Sequence, residues 1–490
     1  MKRIFCTFGL LLLILVTIVL IRTLMFSSDG QEDVDLVSVD VDTARVTQNM
    51  SDAITFKTIS TGDTATQNYQ PFIDFTAWLK SRYPRVHQTL SLTKVANHTL
   101  LFKWQGSDAS LKPILLTAHY DVVPVVPGSE SDWNYPPFEG IVADGYVWGR
   151  GAMDDKSGVV VMLEATSKLI NQGFVPQRTI YLSFGHDEEV GGRQGAKGVV
   201  ELLKAQGVQL KWSIDEGSFI ANGVFPGLDK PLAPINVAEK GSVSFDLIAR
   251  GPGGHSSMPA AELPIDILAT ALVNLRKQPL PGGIEGVSEK MIDGIGRSGP
   301  FSIRMLAANK WLFGSVLDRE LSKTRTGNAL LRTTTAPTIL RSGVKTNVIA
   351  PSATATVNFR LHPRDTPASV KAHILKAVGD PRVEVKTHGE GMSTLASKVS
   401  STESDGYKII SKVARQIFGD IIVVPGITVG GTDSKHYNRV ADDSYRFQYM
   451  LVTPEDIAGF HGTNERVLID NLVKGTGAYY LLMKQAAGPK

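Results

Sequence analysis

The sequence predicts an α/β protein built in two unequal parts, on three observations. From about residue 46, short apolar runs alternate with helix-like segments. That alternation belongs to a sheet with parallel members covered by helices. Around Lys240 the texture changes to strands of alternating apolar and polar residues, each followed by a helix, which fits a smaller α+β domain. After about residue 390 the first texture returns, so the smaller domain reads as inserted into the larger.

The composition bounds what such a chain can be. Of 490 residues, 42% are hydrophobic and 20% charged. That balance supports a sizeable core and excludes a disordered chain, a collagen or a coiled coil. Lys and Arg total 51 against 48 Asp and Glu, a net charge of +3. With no basic block interleaved with aromatics, no nucleic-acid partner is expected. The one cysteine is Cys6. Intramolecular disulfides and cysteine-rich zinc modules are excluded, and any metal site must draw on His, Asp and Glu.

Residues 1–30 hold the first element. Ile4 to Ile21 carries no charge and approaches the ~20 residues of a spanning helix. Lys2 and Arg3 precede it; Arg22, Asp29, Glu32, Asp33 and Asp35 follow. The positive flank stays cytoplasmic, so a single-pass type II anchor is expected, with the rest of the chain luminal or extracellular. The alternative is a cleaved signal peptide and a secreted chain, but Leu24, Met25 and Phe26 stand where small residues are wanted. The sequons Asn49-Met-Ser51 and Asn97-His-Thr99 agree with export. Residues 31–45 are acidic and polar and read as a stalk.

Residues 46–240 form the first part of the larger domain. Ile114 to Thr117, Ile180 to Phe184 and Trp212 to Ile214 read as buried strands, and Val159 to Ile170 as a helix stopped by Gly173. Residues 241–390 form the smaller domain. Ser242 to Ile248 and Ala353 to Leu361 alternate as strands. Pro264 to Arg276 and Pro367 to Val378 are helices that open on proline, whose missing N–H costs little there. An insertion, Gly/Pro-rich and then polar, spans about 279–328. Residues 391–490 add a helix from Asp405 to Phe418, a strand and a closing helix that complete the first sheet.

The chemistry sits in short motifs. LLTAHYDVVPV ends a strand with His119 and Asp121. Residues two apart on a strand point to one side, and an imidazole beside a carboxylate suits a metal ligand with its orienting acid. The same pair also arises from mutual hydrogen bonding alone. WGRGAMDDKSG puts Asp154 and Asp155 at a helix start, where capping is the ordinary role of Asp. LSFGHDEEVGG ends a strand in His186, Asp187, Glu188 and Glu189. Adjacent acids raise one another's pKa, and a dication relieves that; a solvated loop is the alternative. WSIDEGSF adds Asp215 and Glu216, and GFHGTNE adds His461. Ligands gather at the carboxyl ends of strands in such sheets, so one shared site accounts for these motifs better than separate structural roles.

In their order, HYD, GRGAMDDKSG, HDEEVGG, DEGS and FHGTNE resemble the dizinc metallopeptidase family of carboxypeptidase S, glutamate carboxypeptidase and the aminoacylases, from about residue 46 to the end. INQGFVPQR, VAEKGS, and LRTTTAPT followed by SGVKTNVIAPSATATVNFRLHP are most like its N-fatty-acyl-amino acid synthase/hydrolase branch. The resemblance implies a zinc-peptidase-type catalytic domain with a mixed, largely parallel sheet. A smaller ferredoxin-like lid and dimerisation domain interrupts it, and a homodimer is allowed. It implies two Zn²⁺ per chain, with His119 and Asp215 on one ion, Glu189 and His461 on the other, and Asp154 bridging. Several family members have Glu where Asp215 stands. Asp121 would orient His119, and Glu188 would be the general acid/base. In the lid, His255 would donate to the oxyanion, in many members from a partner subunit. Asn347 and Arg360 match lid residues, and an Arg grips a substrate carboxylate in bidentate fashion, a surface ion pair being its alternative. Gly430, Gly431 and Thr432 match a substrate-contact loop. The implied activity is hydrolysis, or formation, of the amide bond of N-fatty-acyl amino acids. A carboxypeptidase S-like exopeptidase is the second reading. A non-catalytic binding ectodomain is the third, and the presence of Glu188 with all five ligands argues against it.

Overall fold

The runs Ile114–His119 and Ile180–Gly185 show no polar face, and every residue in them is buried. Such strands need cover on both faces. The computed structural model describes residues 2–26, 34–63, 65–225, 227–389 and 393–489, and places both strands inside a ten-stranded sheet. Across its middle the order is Ile180–Gly185, Ile114–His119, Leu210–Asp215, Ala441–Arg446, all parallel. Thr99–Trp104 joins Ile180–Gly185 antiparallel, so the sheet is mixed. His119 lies opposite Gly185, and Leu116 opposite Ile214, so three parallel strands finish side by side. The helix Lys156–Asn171 packs against the closing helix Ile469–Ala487.

The chain divides into two compact units. One comprises Met1–Val237, Asp293–Ala308 and Ser400–Lys490; the other comprises Ala238–Ile292 and Asn309–Val399. The second unit holds an antiparallel sheet in the order Thr334–Arg341, Ser352–Leu361, Gly241–Arg250, Val383–Thr387. With the helices Pro264–Lys277 and Pro367–Val378 this is the ferredoxin-like split β-α-β arrangement. Alternation along Gly241–Arg250 sends Val243, Phe245, Leu247 and Ala249 into a core with Leu268, Val357, Phe359 and Ile374.

The 279–328 insertion is helical, with segments Val287–Ser298, Phe301–Ala308, Lys310–Ser322 and Arg325–Leu331. Its glycines do not all mark loops. A Cβ on Gly294 would lie 2.6 Å from Val424 Cγ1, and one on Gly296 would run into Ala307, so both permit close packing.

At the amino end, the helix Lys2–Met25 contains one apolar stretch, Ile4–Met25, long enough to cross a membrane. Its last turn is packed: Arg22 Nε donates to the Ala308 carbonyl at 3.3 Å, and the Arg297 guanidinium lies 4.4 Å over the Phe26 ring. Asp29, Glu32 and Asp33, and the expected domain edges at 30–31 and 390–391, lie outside the described residues. The helix Thr43–Ile54 begins inside the expected stalk, because Asp42 caps it by accepting the Arg45 N–H at 3.0 Å. Asn49 in that helix is fully buried, its amide donating to Tyr83 and Glu164. A glycan is incompatible with that packing, which overturns the first sequon; Asn97 sits exposed in a turn.

Candidate active site and metal centre

His119 is the last residue of its strand and is 1% exposed. Its Nδ1 lies 3.0 Å from the Asp121 carbonyl and 3.4 Å from Asp121 Oδ1. An N–H at Nδ1 donates there, which aims the Nε2 edge at the carboxylates opposite. Nε2 meets Asp154 Oδ1 at 2.9 Å and Glu216 Oε1 at 3.4 Å. The other Asp154 oxygen meets His461 Nε2 at 2.8 Å, and His461 Nε2 lies 3.2 Å from Glu189 Oε2. Glu189 Oε1 is buried without a hydrogen-bond partner. So two groups, His119–Asp154–Glu216 and Asp154–Glu189–His461, share one carboxylate whose oxygens face different imidazoles. Nitrogen and oxygen donors in two triads about a shared acid fit a pair of divalent ions, zinc among them.

The backbone holds this arrangement rigidly. Asp121 does more than orient His119: its oxygens accept the Glu188 and Glu189 N–H groups at 3.1 Å each, and Ser60 Oγ donates to Oδ2 at 2.7 Å. One buried carboxylate therefore ties the strand end carrying a ligand to the loop carrying two acids. Asp154 is held by Glu465, which is fully buried and accepts the N–H groups of Gly151, Met153 and Asp154 at 3.0, 2.8 and 3.2 Å. Arg150 Nη1 donates to Glu465 at 2.6 Å. Asp155 does cap its helix, accepting the Gly158 N–H at 3.2 Å, so Asp154 and Asp155 take different roles.

A model of the peptidase family M20/M25/M40 matches residues 115–485. The chain belongs to this family. It is 38% identical, over 97% of its own length and 92% of the relative's, to a probable carboxypeptidase S-like 2 protein of Dictyostelium discoideum. It is 36% identical to the N-fatty-acyl-amino acid synthase/hydrolase of Xenopus tropicalis, over 93% of this chain and 90% of that one. Its fold matches an M20 metallo-carboxypeptidase of Sulfolobus solfataricus at a TM-score of 0.65 and 19% identity, covering 91% of this chain and 99% of that one. The chain is thus a metallohydrolase that acts on peptide or amide bonds.

Within this M20 site the acids and imidazoles set one another's protonation. Burial pushes Glu188 well above the usual carboxyl range, His119 opposing and Glu216 and Asp433 adding to it. Burial, and then Asp154, push Glu216 up to about 8. Burial acts to lower His119, but hydrogen bonds to Asp121, Asp154 and Glu216 outweigh it and raise the imidazole. Hydrogen bonds to Asp154 and Glu189 raise His461 to about 10. Asp154 is lowered: burial alone would raise it, and His119 and His461 pull it down. A divalent cation supplies these acids with the counter-charge that such protons otherwise supply.

The structure does not bring Asp215 into either group; Glu216 takes that place. Asp215 Oδ1 accepts the Glu216 N–H at 2.9 Å and Oδ2 the Ser434 N–H at 2.7 Å, so its carboxylate braces the turn behind the site. Glu216→Ala is expected to lose one metal equivalent, whereas Asp215→Ala keeps both with affinity weakened about 10- to 100-fold. Elemental analysis of the two purified variants checks this; the reverse pattern restores Asp215 as the ligand. Thr432 is buried beside Ser434, whose N–H lies 3.3 Å from its Oγ1, and Gly431 is exposed. Next to them Asp433 is 1% exposed with neither carboxylate oxygen hydrogen-bonded, and the sequence reading assigned it nothing.

His255, Asn347 and Arg360 belong to the second unit. His255 lies on a two-stranded ribbon opposite Val348, its Nδ1 2.8 Å from Ser257 Oγ. The Asn347 carbonyl accepts the Ser256 N–H at 3.2 Å, which fixes Asn347 beside that ribbon. Arg360 is exposed on the strand Ser352–Leu361, opposite Ser242 and Thr334.

Proposed function

We propose that this metallohydrolase cleaves the amide bond of N-fatty-acyl amino acids with two zinc ions per chain. The observation that carries the two-metal part is the split of the Asp154 carboxylate between His119 and His461. The ligands are then His119 and Glu216 on one ion, Glu189 and His461 on the other, and Asp154 on both. When bound, the ions polarise the carbonyl and lower the pKa of the attacking water. Glu188 takes the water's proton and returns it to the leaving nitrogen, the role suited to the acid left over from ligation. His255 donates to the developing oxyanion. Arg360 holds the carboxylate of the amino-acid half, with the Gly431–Thr432 loop against the substrate; His255 and Asn347, at the far end of the same ladder from Arg360, serve from a second copy of the chain. The same residues serve the reverse reaction when fatty acid and amine are abundant.

The substrate assignment is supported by the similarity to N-fatty-acyl-amino acid synthase/hydrolases at 36–39% identity. The carboxypeptidase S-like relative, similar over nearly the whole chain, favours an exopeptidase as the second reading. Purified protein offered N-acyl amino acids and dipeptides separates the two: preference for dipeptides overturns the first reading.

Arg360 gives a sharper test. Amidating the substrate carboxylate is expected to cost about 10- to 100-fold in kcat/KM, since charge-assisted hydrogen bonds contribute roughly 1.5–3 kcal/mol. Arg360→Ala should lose a similar factor on the free acid and little more on the amide, because the pair no longer exists to be broken. Equal losses on both substrates would show that Arg360 supports the lid without reading the carboxylate.

We place the catalytic part outside the cytoplasm, tethered through Ile4–Met25 with Lys2 and Arg3 on the inner side. Alkaline-carbonate washing should leave the full chain in the membrane pellet, and release into the wash would favour the secreted reading.

A further inference from the structure

We propose that the helix Phe301–Ala308 is seated in the outer leaflet of the membrane, so that the lipid bilayer is itself a docking partner of the catalytic unit. This rests on the reading of Ile4–Met25 as a spanning anchor and adds how the folded part meets that membrane. Both segments belong to the same compact unit, and the helix Lys2–Met25 packs against Phe301–Ala308. The contact runs along one stripe. Leu15 is half-buried, Val19 and Thr23 are buried and Phe26 is half-buried, close to the four-residue spacing of one helix face. Arg22 reaches the Ala308 carbonyl from the same turn.

Length decides the depth. The 22 residues of Ile4–Met25 make a helix about 33 Å long, enough for a hydrocarbon layer of roughly 30 Å. Residues 4–18, ahead of the buried Val19, reach only about 22 Å. The covered turns must therefore lie in the membrane as well, and the helix that covers them lies there too. The uncovered sides of those turns agree. Ile21 is 51%, Leu24 68% and Met25 77% exposed, at the level where Val19 and Thr23 are covered. Apolar surface of that extent belongs in lipid and not in water. Phe301, at the start of the covering helix, is half-exposed as well. Arginines set the limit of the insertion. Arg22 and Arg297 stand at the end of the membrane helix, the second over the Phe26 ring, and Arg304 Nη2 donates to the Gly299 carbonyl at 3.4 Å. Cations on long apolar stems suit the headgroup level, so Phe301–Ala308 is interfacial and not spanning. Val37, inside the expected stalk, already lies on the catalytic unit, its N–H donating to the Gln416 carbonyl at 2.8 Å. The seat brings that unit to the phase into which a fatty-acyl substrate partitions.

The test places a fluorescent label in the full chain, reconstituted into vesicles of phosphatidylcholine and phosphatidylserine. Cys6, the one cysteine, is replaced by Ser, and the label is attached at Leu12→Cys in one variant and at Phe301→Cys in another. Ser302→Cys, exposed on the same helix, repeats the reading if Phe301→Cys fails to fold by circular dichroism. A nitroxide-bearing phospholipid should quench the label at 301 about as strongly as the label at 12, and aqueous iodide should reach it poorly. Lipid quenching at 12 alone, with iodide reaching 301, overturns the proposal and leaves the anchor reading intact. Lipid quenching at neither position overturns both. A label at 301 that neither quencher reaches also overturns the proposal, because a second copy or another protein then covers that face.

Discussion

Replacing Glu188 with Gln is expected to lower kcat by about 10²–10⁴-fold while the metal content stays at wild-type level. Glu188 is outside both ligand groups, yet its backbone is tied to Asp121 beside them. It is almost fully buried, and burial raises its proton affinity. A carboxyl group in that setting accepts a proton from water more readily than an exposed one. Glutamine keeps the shape and the backbone hydrogen bond and removes only the titratable oxygen. The loss should therefore fall on kcat, with KM changed little. Metal analysis and steady-state kinetics on the same preparation decide the matter. Near wild-type turnover in a metal-replete variant would remove Glu188 from the mechanism.

The parts of this site that were legible in the sequence are those written locally. An acid or imidazole straight after an apolar run is visible in one line of sequence, and the register of His119 with Gly185 explains why such residues converge. The smaller α+β part was legible because one face of a strand such as Gly241–Arg250 is buried, which forces alternation. The choice between Asp215 and Glu216 was not legible. Asp215 ends the strand Leu210–Asp215 and Glu216 follows it, and where a strand ends the period of two that sorts side chains ends with it. The Ser434 amide that helps fix which way Asp215 turns is more than two hundred residues away. Glu465 ends the GFHGTNE motif, but its role depends on amides of the Gly151–Asp154 turn, again a distant pairing. The helical insertion was obscured by Gly294 and Gly296, because glycine for close approach looks the same as glycine for a turn. Asn49 satisfied a glycosylation pattern that takes no account of burial.

Asp154→Ala should remove both metal ions and reduce activity to background, whereas His119→Ala should leave about one ion per chain. The difference follows from how donors are shared. Catalytic zinc sites typically use about three protein ligands with one open position. Without Asp154, His119 and Glu216 remain on one side and Glu189 and His461 on the other, two donors each. Without His119, the triad of Asp154, Glu189 and His461 is intact. The Asp154 turn should keep its shape, because Glu465 holds it through the N–H groups of Gly151 and Met153, which the substitution leaves in place. Unchanged circular dichroism would separate metal loss from unfolding. The measurement is elemental analysis after gel filtration without chelator, beside the rate on an N-acyl amino acid. Two ions retained by Asp154→Ala would show that the carboxylate does not bridge. One ion lost by each variant would place Asp154 on a single ion, and the two halves of the site would then be independent.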